Sequence, residues 1–553
     1  MNPQSFFTKY VRCPDCAAPD RLLSGLRLVL LALVLVIVAY VRIRLLDVPL
    51  ERDEGEFAYL GQLMLKGFPP YLYVYTMKLP GVGIAYAFIM FLFGETAHGI
   101  HLGLMFVNAA NAFLVYLLAR RLLGRDAAPI SCATYAILSL SQSVLGSFAH
   151  ATHFVVLFSL LSFIVLLCWR EKGRLLALFV SGLLLGLAVL MKQHAVILAV
   201  FACLYLAWDA RKPGIKPRGK ILAAYTLFLL GVCAPYTLIA FWMTALGIFG
   251  KFWFWTVTYA GKYASAKTFL DGLHNFISTI VFVLKPQLPL WLLGGTGGVL
   301  LCTSHGRGVD RAFLGGLTLF SFLAVCPGYY FRHHYFITFL PAVALLAGLA
   351  VAASERVISR ASPGNALRFI PLCLFMAAAL YGFCQEKEYL FLDSPLEVSR
   401  SIYGVNPFPE SLQIARYLRE HTVANDTIAV IGSEPEIYFY AGRPAATSYI
   451  YMYGLMENQP FADAMQEEMI RQIEKWRPKY IVMVNTPASW LESEGSSDLI
   501  FRWASGYLDV KYDPVGIIDI LTLTKTVYLW DSQIAGYRPE SVSSVVVYKR
   551  NAI

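Results

Sequence analysis

Three carboxylates within four positions, Asp53, Glu54 and Glu56, stand near the start of a stretch at 50–81 (LERDEGEFAYLGQLMLKGFPPYLYVYTMKLPG) that closes on Lys78-Leu79-Pro80-Gly81. A positioned carboxylate can take a proton in a reaction, and as a general base it contributes roughly 10²–10⁴-fold. Acids this close together are costly to desolvate, and near bilayer depth they are functional candidates by default. The plain alternative is a solvated loop that happens to be acidic. Asp53 and Glu54 are consecutive and are not expected to point the same way. One is then the base and the other a positioning or tuning group.

Further groups able to do chemistry recur at intervals. They are Lys78, His150, His153, Lys192, His194, and the run Tyr329-Tyr330-Phe331-Arg332-His333-His334-Tyr335. A loop at 247–275 adds Lys251, Lys262 and Lys267 among many aromatics. Lysines in an aromatic belt often just snorkel to lipid headgroups. The functional reading is that these cations meet an anionic, lipid-linked substrate. Cys13-Pro-Asp-Cys16 is a lone CxxC, half a zinc site at most, with no second pair at ribbon spacing. The ten cysteines imply no disulfide framework, since eight lie in or beside apolar runs and none follows Cys384.

The elements that must position these groups follow from composition. Of 553 residues, 57% are hydrophobic and only 15% charged, against about a quarter charged in soluble domains. The chain reads as a polytopic membrane protein, and its +10 net charge is a topology signal before it is a sign of an acidic partner. No nucleic-acid partner is implied. The start of the chain shows no signal-peptide pattern, because the first apolar run is long and lacks a small-residue cleavage site.

About eleven stretches are long enough to cross ~30 Å of hydrocarbon: 26–46, 99–119, 127–146, 153–169, 175–191, 194–209, 220–243, 276–302, 311–327, 336–353 and 368–385. With the N-terminus in the cytoplasm, every even-numbered exit is basic, as the positive-inside rule requires. The condition is that 81–94 is a re-entrant or interfacial helix rather than a span. The expected organisation is a cytoplasmic tail (1–25), a transmembrane catalytic domain (26–385) with an outer loop at 47–98, and a soluble outer domain (386–553). In that last part, strand candidates at 427–431, 480–484, 515–529 and 544–549 alternate with helical spacing at 411–421 and 461–476, the pattern of a small α/β domain. Its GSEPE at 432–436 reads as a turn.

Several features together resemble a known family. They are the acidic pair beyond the first span, the loop ending in Lys-x-Pro, Ala-Arg-Arg-Leu at 119–122 and Met191-Lys192 at a helix end. The last is Arg332-His-His-Tyr335 before an apolar span containing Pro341. This is similar to the GT-C-fold, polyprenyl-phosphate-dependent glycosyltransferases, in the branch of protein O-mannosyltransferases and lipid A aminoarabinose transferases. The resemblance covers about 20–385. It implies a GT-C-like membrane fold with about 11 transmembrane helices and a C-terminal soluble α/β domain. It further implies transfer of a sugar from a polyprenyl-phosphate-linked donor to a protein, lipid or envelope-glycan acceptor at the outer face of the cell inner (plasma) membrane.

By position, Asp53 matches the general base with Glu54 beside it, Lys78 the loop lysine, and Lys192 the outer basic residue of the fifth span. Lys78, Lys192 and Arg332 are expected on the donor phosphate, and His150, His153, His194, His333, His334 and Tyr335 around the substrate. The His150-Ala-Thr-His153 stretch departs from the acidic residue that lipid A enzymes tend to carry there, and points to a different sugar or acceptor. No cofactor and no resident metal are expected. A divalent cation stays open, although no DxD motif supports one. The rival reading is a lipid-linked-sugar transporter or flippase. It would favour charge deep in the spans and an internal repeat, and the sequence shows neither. A membrane-anchored scaffold would leave the acid–base cluster unexplained.

Overall fold

The computed structural model describes residues 21–210, 218–303, 310–361 and 366–551; the Cys13/Cys16 pair lies outside them. Helices dominate. Among the described residues, eight are long and apolar enough to cross a membrane, from Arg21–Arg44 to Ala366–Gln385. The other three expected spans fall on shorter apolar helices, Ala127–Leu138, Leu175–Met191 and Arg311–Leu323, of 12, 17 and 13 residues. Gly81–Phe93 is also a short helix of 13 residues. At 1.5 Å per residue, twelve residues cover only about 18 Å.

The shortening at Leu138 has a local cause. Ser139 to Gly146 leaves the helical path, with Leu145 in the left-handed region at φ 57°. Its polar groups are paid for by two buried side chains. Arg42 donates to the Ser139 carbonyl at 2.9 Å and the Gly146 carbonyl at 3.3 Å. Glu386 accepts from Ser141 Oγ at 2.7 Å, the Gln142 amide at 2.8 Å and Gln287 Nε2 at 2.6 Å. Irregular backbone among apolar helices survives only where protein satisfies it in this way.

The chain forms two compact units. The first comprises Met1–Ile43, Leu104–Phe241 and Ala264–Leu392, and the second Arg44–Gly103, Trp242–Tyr263 and Asp393–Ile553. The first is a helical bundle. Its helices Leu175–Met191 and Arg218–Ala245 meet at Gly182 and Gly186, where a Cβ would stand 2.1 Å from the Phe228 carbonyl oxygen and 2.4 Å from that of Val232. Small residues four apart let helix backbones approach closely, which is how such helices associate in lipid.

The second unit is built on a five-stranded sheet in the order β1-β2-β5-β3-β4, from β1 (Ile428–Ile431), β2 (Tyr480–Asn485), β3 (Tyr512–Ile520), β4 (Thr526–Trp530) and β5 (Ser544–Arg550). β1 and β2 are parallel, and the other pairings antiparallel. The helices Phe408–Glu420 and Ala462–Trp476 complete the α/β pattern read from the sequence.

The unit is wider than the C-terminal segment because the acidic stretch packs into it. The Tyr75 amide donates to the Ser448 carbonyl at 2.8 Å, the Ala445 amide to Tyr59 Oη at 2.8 Å and the Leu50 amide to Tyr440 Oη at 2.8 Å. Tyr59 stacks on Tyr438 with centroids 5.3 Å apart. Gly55 is required by this packing, since a Cβ there would lie 2.6 Å from the Glu436 amide nitrogen.

Candidate active site

The acids of the opening stretch sit at the start of the helix Arg52–Leu65, which Glu51 caps in a reciprocal box with Glu54. Successive helical residues are about 100° apart, whereas residues three apart share a face. Asp53 and Glu56 therefore face together, and Glu54 faces elsewhere. Lys78 Nζ donates to Asp53 Oδ1 at 2.7 Å and to Glu56 Oε2 at 2.6 Å. The same ammonium stands 4.4 Å from the Phe57 ring centroid. Glu54, fully buried, meets His101 Nε2 at 3.0 Å, and the other nitrogen of that ring meets the Leu46 carbonyl at 3.0 Å.

The two consecutive acids thus have separate partners. Asp53 keeps 22% of its side chain exposed, whereas Glu56 is buried. Burial works against charge on Lys78, but Asp53 and Glu56 outweigh it and hold the ammonium well above the ordinary lysine range. The positive charge that two carboxylates on one helix face call for is therefore supplied by the protein.

Arg52 fixes this helix start. Its Nε donates to the Ser433 carbonyl at 2.5 Å, Nη1 to Tyr453 Oη at 2.7 Å, and Nη2 to Asn406 Oδ1 at 3.0 Å and Glu434 Oε1 at 2.9 Å. Glu434 is fully buried and also accepts from Ser489 Oγ at 2.7 Å. The GSEPE segment is a turn in backbone terms, yet it is also the socket for Arg52. It lies past the carboxyl end of β1, beside the short helix Pro487–Trp490 past β2 that carries Ser489. That edge of parallel strands is where α/β folds usually hold ligands. Here an arginine of the same chain fills it. Nearby, burial and then the Glu434 charge push the Glu436 carboxyl up to about 8.

Tyr451 completes the Asp53 surroundings, with Oη 3.5 Å from Asp53 Oδ1 and its ring centroid 5.5 Å from Lys78 Nζ. Burial and the Asp53 charge hold its phenol well above the ordinary range, so it stays protonated. Glu56 was visible in the acidic cluster without an assigned role. Arg52, Glu434 and Tyr451 were missed, because their partners lie hundreds of positions away in sequence.

The remaining candidates belong to the helical unit, and three of them, Lys192, His194 and His334, lie around Tyr335. Lys192 Nζ lies 3.6 Å from its ring centroid, His334 packs edge-on at 4.9 Å, and His194 is tilted at 6.2 Å. His150 and His334 stack at 4.0 Å. Arg332 stands over Tyr330 at 5.8 Å. His333 stacks on Phe282 at 4.6 Å; burial, and then the Arg332 charge, lower its pKa and keep it neutral. His153 is buried, with its carbonyl accepting from Asn111 Nδ2 at 3.1 Å. The structure thus joins Lys78 to Asp53 in one unit, and Lys192 to Tyr335 and the histidine pair in the other.

Residues 78–250 match the family model of dolichyl-phosphate-mannose-protein mannosyltransferases. That stretch includes Lys78, His150, His153, Lys192 and His194, and leaves out Asp53, Glu54 and the 332–335 run. No curated protein sequence matches the chain. Among solved structures it is similar to ArnT from Cupriavidus metallidurans bound to undecaprenyl phosphate, with TM-score 0.59, 13% identity, and 95% of this chain and 98% of that one covered. The apo form of ArnT gives 0.59 and 13%, with 94% and 97% covered. The archaeal oligosaccharyltransferase AglB from Archaeoglobus fulgidus, in complex with an inhibitory peptide and a dolichol-phosphate, gives 0.52 and 14%, with 94% and 75% covered. At such identities the likeness establishes the fold. The chain is a polytopic membrane protein of the GT-C fold, resembling polyprenyl-phosphate-dependent glycosyltransferases in both its family-model match and its architecture.

Proposed function

We propose that this chain is an integral-membrane glycosyltransferase that moves a sugar from a polyprenyl-phosphate-linked donor to an acceptor at the outer face of the membrane, with Asp53 as general base. The observation that carries the reading is the partly exposed Asp53 carboxylate held by Lys78 at 2.7 Å, in a chain with the fold of proteins whose structures hold polyprenyl or dolichol phosphates. A base must be ionised, accessible and fixed in direction to act. Lys78 supports the first and third conditions, and the remaining exposure of Asp53 the second. Glu54, spent on His101, supports the helix start rather than the proton transfer.

In the reaction, Asp53 takes the proton of the acceptor as the acceptor atom bonds to the sugar's anomeric carbon. The bond from that carbon to the phosphate oxygen breaks, and the polyprenyl phosphate leaves with the electron pair. Cations beside a developing phosphate charge are among the strongest contributions such a site can offer. Lys192 and Arg332 are assigned that role, with Tyr335, His150, His153, His194, His333 and His334 shaping the surroundings. Lys78 acts chiefly on the base. The test uses the purified full chain, a panel of undecaprenyl-phosphate-linked labelled hexoses and pentoses, and envelope membranes lacking the chain as acceptor. Label should move to the membranes, and Asp53→Asn should lower the rate by at least about a hundredfold while the donor still binds. A variant at wild-type rate removes Asp53 from the mechanism.

A further inference from the structure

The C-terminal segment runs past the acidic helix as Tyr449-Ile450-Tyr451-Met452-Tyr453, with tyrosines at alternate positions. The outer two hydroxyls are taken up by the protein. Tyr449 Oη donates to Glu468 Oε2 at 2.8 Å. Tyr453 Oη donates to the Ala488 carbonyl at 2.8 Å and accepts from Arg52 at 2.7 Å. Between them, the Met452 amide donates to Ser433 Oγ at 2.8 Å. The strap is therefore pinned on both sides of Tyr451, whose ring packs edge-on against Tyr453 with centroids 4.8 Å apart.

Tyr451 differs from its neighbours. Its hydroxyl contact is the 3.5 Å approach to Asp53 Oδ1, well beyond the ~2.7–2.8 Å of a strong hydroxyl–oxygen bond. Tyr451 is half-buried, and Asp53 keeps 22% of its side chain exposed. A third oxygen placed about 2.8 Å from each would close a triangle on that 3.5 Å base with two good hydrogen bonds.

We propose that Tyr451 is the residue with which the C-terminal segment orients the acceptor, and that the acceptor group it fits is a hydroxyl. This rests on the transfer reading given above. The electron count gives the acceptor class. A hydroxyl oxygen has two lone pairs and one proton. It gives the proton to Asp53, uses one lone pair to form the bond to the anomeric carbon, and has one lone pair left to accept from the Tyr451 hydroxyl. A neutral amine spends its single lone pair on the new bond and has none for Tyr451. The polyprenyl phosphate leaves as before, and Tyr451 neither gains nor loses a proton overall. Tyr451 thus selects and aims the nucleophile, and the C-terminal domain takes a direct part in the reaction.

Tyr451→Phe removes one oxygen and keeps the ring. Its transfer from the same labelled undecaprenyl-phosphate sugars to envelope membranes is measured at varied membrane and donor concentrations, alongside binding of undecaprenyl phosphate. Expected is a loss of roughly tenfold to a hundredfold in kcat/KM for the acceptor, as for one lost hydrogen bond at a charged centre. Donor affinity and melting temperature should stay unchanged. Tyr451→Gln, which retains a donor, should recover part of the loss and decides the matter if the Phe variant does not fold. Wild-type acceptor kinetics in the Phe variant, or an equal loss of donor affinity, would overturn the role of Tyr451 while leaving the transfer reading standing. A wild-type chain that moves no label from any donor overturns the transfer reading and Tyr451's role with it.

Discussion

Lys78 Nζ and Asp53 Oδ1 stand 2.7 Å apart, although the two residues are 25 positions apart and enter from different elements. The lysine sits between two acids of one helix face, over the Phe57 ring, and so is held by the chain's own carboxylates.

Lys78→Gln should therefore act on both stability and the pH profile. Removing the ammonium leaves Glu56 buried beside Asp53 without its cation, an expected cost of about 1–3 kcal/mol. The folded state raises the Lys78 pKa, so its contribution is complete below the ordinary lysine value and is lost only as pH rises through the higher folded one. Unfolding at pH 6–8 should show a constant deficit. The acid limb of turnover should move to higher pH, because the cation beside the base is gone. A limb that stays in place would separate Lys78 from the base.

Arg52→Ala should be the more damaging change. It deletes four hydrogen bonds and leaves the buried Glu434 carboxylate without its countercharge, a loss of about 3–5 kcal/mol. Arg52→Lys should recover only part, since one ammonium cannot reproduce a planar fork bonded to four partners. Thermal unfolding in detergent reads both, and equal melting of wild type and Arg52→Ala would remove the pair from the fold's support.

Glu436 gives a pH signature. Its folded carboxyl holds the proton to about 8, against 4.5 ordinarily. Between those values the folded state binds more protons than the unfolded one, so this contribution makes stability fall as pH rises through the window. Glu436→Gln should flatten the slope between about pH 4.5 and 8, with its largest gain over wild type at the alkaline end. Parallel melting curves for the two proteins across that window would contradict the assignment.

Lys192→Ala and Arg332→Ala test the cation role. Each should weaken binding of undecaprenyl phosphate by about 1–3 kcal/mol, the range for a hydrogen bond to a charged group, with little effect on acceptor affinity. Lys192→Ala also removes the 3.6 Å contact on Tyr335. Unchanged binding in both variants would clear the helical unit of phosphate recognition.

What could be read from the sequence divides along physical lines. Apolar runs and strand alternation are local, so most of the long helices and β1, β2 and β5 lie close to where periodicity put them, whereas the single candidate at 515–529 is two strands, β3 and β4. The divergence of Asp53 from Glu54 was also legible, because a helix start turns consecutive side chains apart. The end of the helix Ala127–Leu138 was not. Leu140 and Val144 keep the stretch apolar, and the groups that stabilise the break, Arg42 and Glu386, lie far away in sequence. Arg52 escaped notice for the same reason. Beside three acids it reads as a local charge, and only the tertiary fold shows its true partner to be Glu434.

The Arg52–Glu434 link spans 382 positions, and that distance is also a delay. A ribosome adding ~5–20 residues per second makes Glu434 roughly 20–80 s after Arg52. Until then the acids at 53–56 have no socket to fix them, and Tyr451 does not yet exist. A chain cut short between residues 386 and 433 would carry every described membrane helix and still lack both Glu434 and Tyr451. Anchoring of the acidic helix start thus waits until all the described membrane helices have been made.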